Sequence, residues 1–197
     1  KNTRLLNDVP LVVHAIRKCQ EAQCFSKIYL NTEDQELKKF AVSEGIDYYH
    51  RKQELADHDA TSEDYLFDFL LNVECDVLVQ VHSIAPLLSA NEITDFTKHF
   101  SESEYDMLVS CVEDQIEVAF QNKPINFSFG RKNNSQDLLP TQRITWSISA
   151  WRRNTFLEAK ARGSCATYAG NIGFFPVNKL AAHVIKTEFD LRIAEAL

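Results

Sequence analysis

The sequence DVLVQVHSIAPLL, residues 76–88, passes directly from an apolar run into a polar turn that contains Pro86. The run Asp76–Val81 lacks the alternation of polar and apolar residues that is typical of a half-exposed strand. It therefore predicts a central strand that is buried on both faces, as in a parallel sheet covered by helices. Ligands of such sheets bind beyond the carboxyl ends of the strands. Gln80, Ser83 and Pro86 are thus predicted to border a small-molecule site.

Composition excludes several classes of protein. The chain has 197 residues, which predicts a single domain over 1–197. With 21 basic and 28 acidic residues and no long basic run, a nucleic-acid partner is not expected. Five cysteines without Cys-x-x-Cys spacing indicate a reducing, cytoplasmic setting. No apolar run approaches the ~20 residues of a membrane span, and no signal peptide is recognisable, so no membrane association is expected. Since the sequence begins at Lys1, we expect residues upstream of it.

Helical and strand patterns alternate about five times up to Val112. This alternation predicts an α/β fold with a mostly parallel, Rossmann-like sheet and helices on both faces. Capping boxes at Thr32/Gln35, Thr61/Asp64 and Ser89/Glu92 predict three helix starts. The other expected elements are a helix over 9–23, a short helix over 155–161, strands over 27–31, 46–50, 105–112, 143–151 and 169–177, and a terminal helix.

The pattern changes after Val112. Residues 117–129 alternate as short β segments around Lys123 and Pro124, and Phe127 and Phe129 fall on one side. This segment has no evident place in the main sheet. We therefore expect 113–145 to form a β-rich arm.

The usual phosphate-binding motifs are absent from the sequence, which has only five glycines. Polar residues instead stand at the predicted strand ends, namely Lys1, Asn2, Asn31, Thr32, Arg51, residues 57–62, Gln80 and Ser83. Arg51 can hold a phosphate or carboxylate through two hydrogen bonds, Lys1 can add a positive charge, and Ser62 begins a helix whose free N–H groups favour an anion. Simpler interpretations remain open, since Ser62 can be a helix cap and Arg51 a surface ion-pair partner. His82 can either act in the site or simply pack against its neighbours.

Several ordered motifs resemble one enzyme family. They are Lys1-Asn2-Thr3-Arg4-Leu5, Val9-Pro10-Leu11, Asn31-Thr32-Glu33-Asp34, Arg51 with Glu54-Leu55-Ala56-Asp57, Ala60-Thr61-Ser62-Glu63-Asp64, the turn from Gln80 to Leu87, Gln136-Asp137-Leu138-Leu139-Pro140 and the ending 190–197. Their order and spacing over more than half of the chain are similar to those of the acylneuraminate cytidylyltransferases, also called CMP-sialic acid synthetases.

The resemblance implies transfer of CMP from CTP to an acidic 2-keto sugar, with release of pyrophosphate and with Mg²⁺ as cofactor. It also implies a homodimer in which the arm reaches over the neighbour's site. Carried over by motif, the catalytic residues are Lys1, Arg51 and Gln80. The nucleotide-binding set adds Asn2, Ser62 and Ser83, and the sugar-binding residues are Gln80 and Gln136.

Three departures from the family keep alternatives open. The family's glycine-rich loop would precede Lys1, and its Asn-Gly-Ala segment is replaced around 145–148. Its Asp-x-Asp metal pair falls on Val184 and Lys186, so no metal ligand is identified. The alternatives are a non-catalytic relative that binds a nucleotide or nucleotide sugar, and a sugar nucleotidyltransferase that uses another base.

Overall fold

The computed structural model describes residues 2–57 and 59–197. Its α-helices are α1 (Leu11–Ala22), α2 (Lys38–Glu44), α3 (Ser62–Asn72), α4 (Ala90–Glu102), α5 (Arg153–Ala161) and α6 (Glu188–Ala196). Its strands are β1 (Leu5–Leu6), β2 (Val9–Pro10), β3 (Tyr29–Thr32), β4 (Asp47–His50), β5 (Val77–Val81), β6 (Met107–Asp114), β7 (Ala119–Phe120), β8 (Lys123–Pro124), β9 (Thr141–Arg152) and β10 (Ile172–Pro176). Short 3₁₀ turns cover Gln35–Leu37, Gln53–Ala56 and Ser135–Asp137.

The main sheet has the strand order β10-β6-β9-β5. Strands β5, β6 and β10 run in one direction, and β9 runs against them between β6 and β5. Strands β3 and β4 form a separate parallel pair. The predicted α/β fold with a mostly parallel sheet is confirmed, because three of the four strands described in the main sheet share one direction and β3 and β4 are parallel to each other. One detail was wrong, because β5 pairs only with β9 among the described residues and is not central. The 12-residue strand β9, which pairs on both sides, lies inside the sheet instead.

Helices cover the strands on both faces. On one face, Cys19 and Ala22 of α1 join Phe96 of α4 and Ile148 of β9 in a buried cluster. On the other face, Leu70 of α3 and Phe156 of α5 pack with Val109 and Trp151 of the sheet. Helix α1 also packs its residues Val12, Val13 and Ile16 against Leu30 and Ile46, beside the β3–β4 pair. One helix thus spans both sheets.

Within the described parts of the chain, side-chain caps mark the starts of three of the six α-helices, namely α3, α4 and α6. The capping boxes predicted at Thr61/Asp64 and Ser89/Glu92 are present, and Thr187 with Asp190 forms another at the start of α6. The box predicted at Thr32/Gln35 is wrong, because Thr32 ends β3 and Asp34 caps the 3₁₀ turn Gln35–Leu37 instead. Helix α1 begins at Leu11 rather than at residue 9, because Val9 and Pro10 pair with β1 as a short antiparallel ribbon.

The exposed arm covers 115–140, which is shorter than the predicted 113–145. Strands β6 and β9 remain paired as far as Asp114 and Thr141, so residues 113–114 and 141–145 belong to the main sheet rather than to the arm. Within the arm, β7 and β8 form a hairpin around Gln121 and Asn122, whose φ values are 48° and 63°. Positive φ at both turn residues fits the tight turn that closes a two-residue hairpin. The arm's part in dimerisation remains a prediction.

None of the helices within 2–57 and 59–197 combines the length and the apolar character needed to cross a bilayer. All five cysteines are free thiols.

Candidate active site

The carboxyl ends of β3, β4 and β5 meet one face of α3. Arg51 follows β4, and its backbone N–H donates to Thr32 O of β3 at 3.1 Å. Gln80 of β5 donates from Nε2 to the hydroxyl of Tyr65 on α3 at 3.0 Å. The Arg51 guanidinium lies over the Tyr65 ring, 4.8 Å from its centroid. The structure thus brings Arg51 and Gln80 together around Tyr65.

A carboxylate already compensates the charge of Arg51. The guanidinium forms an ion pair with Glu33, and only 16% and 26% of the two side chains are exposed. Partial burial opposes ionisation of Glu33, but the hydrogen bonds and charge supplied by Arg51 help to lower the pKa of this carboxyl below its ordinary value. A paired guanidinium suits a neutral acceptor better than a bare triphosphate.

Three buried polar atoms in this region have no hydrogen-bond partner among the described residues. They are Asn31 Oδ1, Arg51 Nε and Ser149 Oγ. Asn31 lies in β3, one residue before the Thr32 that pairs with Arg51, and Ser149 is opposite Gln80 in the strand register. An unpaired buried polar group costs about 1–3 kcal/mol. A ligand that pairs with these atoms would recover that free energy.

The start of α3, where Ser62 stands, is rich in negative charge. Asp64 accepts hydrogen bonds from the Thr61 N–H and hydroxyl, and these bonds together with Lys160 lower the pKa of Asp64 to about 2. Burial opposes ionisation of Glu63, but hydrogen bonds from Thr167, Lys160 and Cys165 still lower its pKa. Two ionised carboxylates in the first turn make this helix end a poor site for phosphate. The exposed Ser62 hydroxyl is better suited to a ribose or base.

The turn after β5 gathers a second group of residues. Ser83 Oγ donates to Asn2 Oδ1 at 3.0 Å. The Ile185 N–H donates to Ile84 O at 2.8 Å, so the segment 184–186 lies directly beside this turn. Lys186 is exposed and Val184 is half-buried. Burial lowers the pKa of His82, which favours a neutral imidazole in the same turn.

The described residues contain no magnesium site made of protein side chains alone, although one or two carboxylates with substrate phosphates are enough to hold this ion. Within 2–57 and 59–197, no group of three or more His, Cys, Asp or Glu side chains could hold a metal ion. Magnesium requires oxygen ligands. Neither the Val184 side chain nor the Lys186 ammonium can supply one.

One described site residue of the prediction, Gln136, is not brought into this arrangement. Gln136 lies exposed in the arm, where its carbonyl accepts a hydrogen bond from Gln115 Nε2 at 3.0 Å. Lys1 lies outside the described residues. The roles assigned to the predicted site residues remain predictions.

Sequence reasoning missed Tyr65 and Glu33 as members of the site. The spacing of Tyr65 with Leu66 and Phe69 predicts only a place on the buried stripe of α3, and Glu33 stands out only as part of a motif. The spacing of Tyr65 three residues after Ser62 could have indicated its position, because residues three apart share a helix face. Nothing in the local sequence pairs Glu33 with Arg51, since they meet only through the β3–β4 ladder.

Comparison with known proteins places this geometry in a family. The model of the family described as cytidylyltransferase matches residues 1–190. The chain is 24% identical over 210 residues to the post-translational flagellin modification protein B of Campylobacter coli, which covers all of this chain and 87% of that protein. It is 29% identical over 181 residues to the N-acylneuraminate cytidylyltransferase of Streptococcus agalactiae serotype V, which covers 86% of this chain but only 43% of that relative.

Solved structures agree on the fold. A CMP:2-keto-3-deoxy-manno-octonic acid synthetase complexed with CTP superposes with a TM-score of 0.72 at 14% identity, over 100% of this chain and 90% of the other. The 4-diphosphocytidyl-2C-methyl-D-erythritol synthase of Anaerococcus prevotii gives a TM-score of 0.72 at 9% identity, over 99% and 91%. These likenesses show the fold, and the match over 1–190 shows the family. The chain belongs to the cytidylyltransferase family of enzymes.

Proposed function

We propose that the protein transfers CMP from CTP to an acidic 2-keto sugar of the sialic acid type, releasing pyrophosphate. The proposal depends on two buried, unpaired side-chain atoms, the acceptor Asn31 Oδ1 on β3 and the donor Arg51 Nε, which follows the adjacent strand β4. Cytosine presents an amino donor beside ring acceptors on one edge. Such an edge offers a partner to each kind of atom, and the neutral Arg51–Glu33 pair favours a base over a phosphate.

The sugar acid is proposed to lie beyond Gln80, toward the turn that contains Ser83. Support comes from relatives named for acidic sugars, the streptococcal N-acylneuraminate enzyme and the structural neighbour named for 2-keto-3-deoxy-manno-octonic acid. The chain spans 43% of the length of that streptococcal relative, so its substrate remains a proposal here. Asn2 and Ser83, which are hydrogen-bonded to each other, would orient the reacting groups from the side of the turn.

Phosphate charge is proposed to be met partly by Lys186. The Ile185–Ile84 hydrogen bond holds the segment of Lys186 against the turn after β5. Phosphoryl transfer depends on positioning and charge compensation rather than covalent help from the protein. A fixed ammonium supplies such compensation without a proton transfer. We further propose that turnover requires Mg²⁺, which a magnesium titration of pyrophosphate release would test.

A two-fold homodimer built through the arm completes the proposal. Its support is the apolar surface of the arm, since Phe120, Ile125 and Phe129 are 65%, 59% and 75% exposed. Patches of this kind on ordered segments are typical of interaction sites.

Nucleotide preference gives the first test. At equal concentration, CTP should raise the melting temperature of the protein more than ATP, GTP or UTP, because binding to the native state alone stabilises it. Asn31→Ala should reduce the CTP shift. Asn171→Ala is the matched control, since its amide binds Glu104 O near the amino end of β10. Equal shifts from all four nucleotides would contradict the cytidine assignment.

Turnover gives the second test. Pyrophosphate release from CTP should depend on a 2-keto sugar acid as co-substrate. A second candidate function, nucleotide binding without catalysis, is favoured by the lack of a metal-holding group among the described residues. A CTP-specific thermal shift with no release from any sugar acid would establish that alternative.

A further inference from the structure

We propose that Trp146 and Tyr168 form an aromatic wall in the sugar-acid subsite, and that this wall selects a sugar acid with an apolar substituent, such as an acylamino methyl, over its hydroxylated analogue. The inference rests on the proposed function, whose sugar it specifies further. Its grounds are the backbone at Trp146, the contacts that hold that backbone, and the position of the two rings.

The backbone at Trp146 is strained. In the β6–β9 ladder, Val109 pairs with Ser149 and the next pair is Cys111 with Ile144, so residues 145–148 of β9 are opposite Ser110 alone. Trp146 adopts φ = 57° within this bulge. A bulky residue in the left-handed region is a conformational outlier, and both such strain and bulges are enriched at functional sites.

Buried hydroxyl groups hold the bulge in place. Ser110 Oγ lies 2.8 Å from Thr145 Oγ1 and accepts a hydrogen bond from the Ile148 N–H at 3.2 Å. Ser147 Oγ donates to Ala181 O at 2.6 Å. These contacts are on both sides of Trp146 in the chain. They fix its backbone independently of its own ring, so the strain is built into the sheet.

The bulge lies at the candidate site. The His82 N–H donates to Ser147 O at 3.1 Å, which places residue 146 just past the carboxyl end of β5. Trp146 packs against the same buried cluster as Tyr65, the residue that binds Gln80. The Trp146 ring is therefore on the α3 face of the sheet, as is Gln80.

The second ring extends this surface outward. The Tyr168 ring centroid is 6.1 Å from that of Trp146, with the planes at 65°. Tyr168 is 49% exposed and Trp146 is half-buried. The edge-to-face pair thus presents an apolar corner to solvent beside the proposed sugar position. Aromatic faces of this kind favour contact with C–H and methyl groups.

An apolar corner discriminates by desolvation. A methyl group placed against it leaves water favourably, whereas a hydroxyl in the same place loses hydrogen bonds to water without replacement. A difference of one such group typically changes specificity by about 10-fold to 200-fold. The wall would therefore set which sugar acid is used, without any role in CTP binding.

The experiment compares two 2-keto sugar acids that differ only in an acetamido group against a hydroxyl. For wild type, kcat/KM should favour the acetamido sugar. Trp146→Gly, which removes the ring and suits the positive φ, should reduce this ratio at least about tenfold while the KM for CTP stays within twofold. Gln23→Gly is the matched control, because Gln23 has φ = 52° at the end of α1. It should leave the ratio unchanged.

Two results would overturn the wall. One is an unchanged ratio in Trp146→Gly, and the other is an equal loss on both sugars. If wild type turns over no sugar acid, the proposed function fails, and the wall is then judged by binding. The acetamido sugar should change the tryptophan fluorescence of wild type more than the hydroxylated one does. That difference should vanish in Trp146→Phe, and equal responses from wild type and variant would refute the wall.

Discussion

The main sheet and the arm are both rich in apolar residues, but the sheet buries or half-buries most of its apolar side chains, whereas the arm buries Leu138 and leaves most of the others exposed. Val109, Ile148 and Ala150 of the sheet are completely buried. In the arm, Ile116, Phe120, Ile125, Phe129 and Leu139 are each at least 59% exposed; we call these five side chains the arm patch. The difference does not come from disorder of the arm. Asn126 ties it together by accepting from the Val118 N–H and by donating to Ile116 O and Leu139 O.

The difference indicates that the apolar residues of the sheet and those of the arm serve different purposes, namely folding of the monomer and the proposed assembly with a second chain. Helices on both faces cover the sheet, so its apolar side chains stabilise the monomer. The arm is held together by polar contacts and leaves most of its apolar side chains facing outward. Such a surface contributes little to the stability of the monomer and is available to a second copy of the chain.

The largest expected effect contrasts a sheet-side phenylalanine with an arm phenylalanine. Phe156 is 1% exposed and packs edge-to-face on Trp151, whereas Phe129 is 75% exposed. Phe156→Ala should lower the free energy of unfolding by about 4 kcal/mol, because it leaves a cavity. Phe129→Ala, measured at a protein concentration low enough to keep the chain monomeric, should change it by under about 0.5 kcal/mol. Urea denaturation measures both. Similar losses would show that the arm shares the folding core.

The next effect concerns assembly. We expect Phe120→Glu combined with Phe129→Glu to weaken the proposed homodimer at least about 100-fold, or roughly 2.7 kcal/mol, because it introduces charge into the arm patch. Light scattering over a dilution series gives the mass. The melting temperature of the monomer should stay close to that of wild type.

Phe189→Glu provides the control for charge on an exposed phenylalanine. Phe189 is 71% exposed on α6, outside the arm, and its substitution should leave the dimer intact. A monomeric wild type at micromolar concentration would remove the dimer from the proposal.

The sequence predicted where helices and strands occur along the chain better than it predicted which strands lie side by side in the sheet. Capping boxes and apolar periodicity located α3 and α4 because these signals lie within one turn of the chain. The prediction that β5 is the central strand was wrong, because the order of strands in a sheet depends on pairing between segments that are far apart in the sequence. Nothing within 76–81 indicates that β9 lies next to β5 or that no other described strand does.

The candidate site likewise has features that the sequence predicts and features that it does not. Arg51, Gln80 and Ser83 could be nominated because polar residues follow strand ends. The Arg51–Glu33 ion pair joins residues 18 positions apart, and the strain at Trp146 arises from a bulge defined by β6. Such features depend on register, which the periodicity of a single strand does not determine.

A smaller effect distinguishes the site from the arm. If Lys186 contacts phosphate, Lys186→Ala should reduce turnover or CTP affinity about tenfold, equivalent to ~1.4 kcal/mol, without changing the mass in solution. Lys179→Ala is a control, since Lys179 is an exposed lysine that lies within 3.8 Å of Asp114 instead. Pyrophosphate release over a magnesium titration measures the effect. An unchanged rate and an unchanged magnesium curve would remove Lys186 from the mechanism.

The smallest expected effect is the acid sensitivity of the contact between α3 and α5. Hydrogen bonds from Thr61, supported by Lys160, lower the pKa of Asp64 from an ordinary 3.8 to about 2. A carboxyl with a depressed pKa in the folded state contributes stability above its unfolded pKa, and this contribution is lost as the pH falls toward 2. Because 36% of the Asp64 side chain is exposed, solvent screens the interaction and we expect under about 1 kcal/mol.

Asp64→Asn should therefore reduce stability at pH 6 and flatten its decline between pH 4 and pH 2, an interval bounded by the two pKa values. Asp190→Asn is the matched control, since Asp190 has the same N3 position in the capping box of α6 but belongs to the C-terminal helix, away from α5. Urea midpoints measured across this pH range decide the matter. If Asp64→Asn follows the wild-type curve at a constant offset, the variant has lost a helix cap only, and protonation of Asp64 does not control the acid stability of the α3–α5 contact.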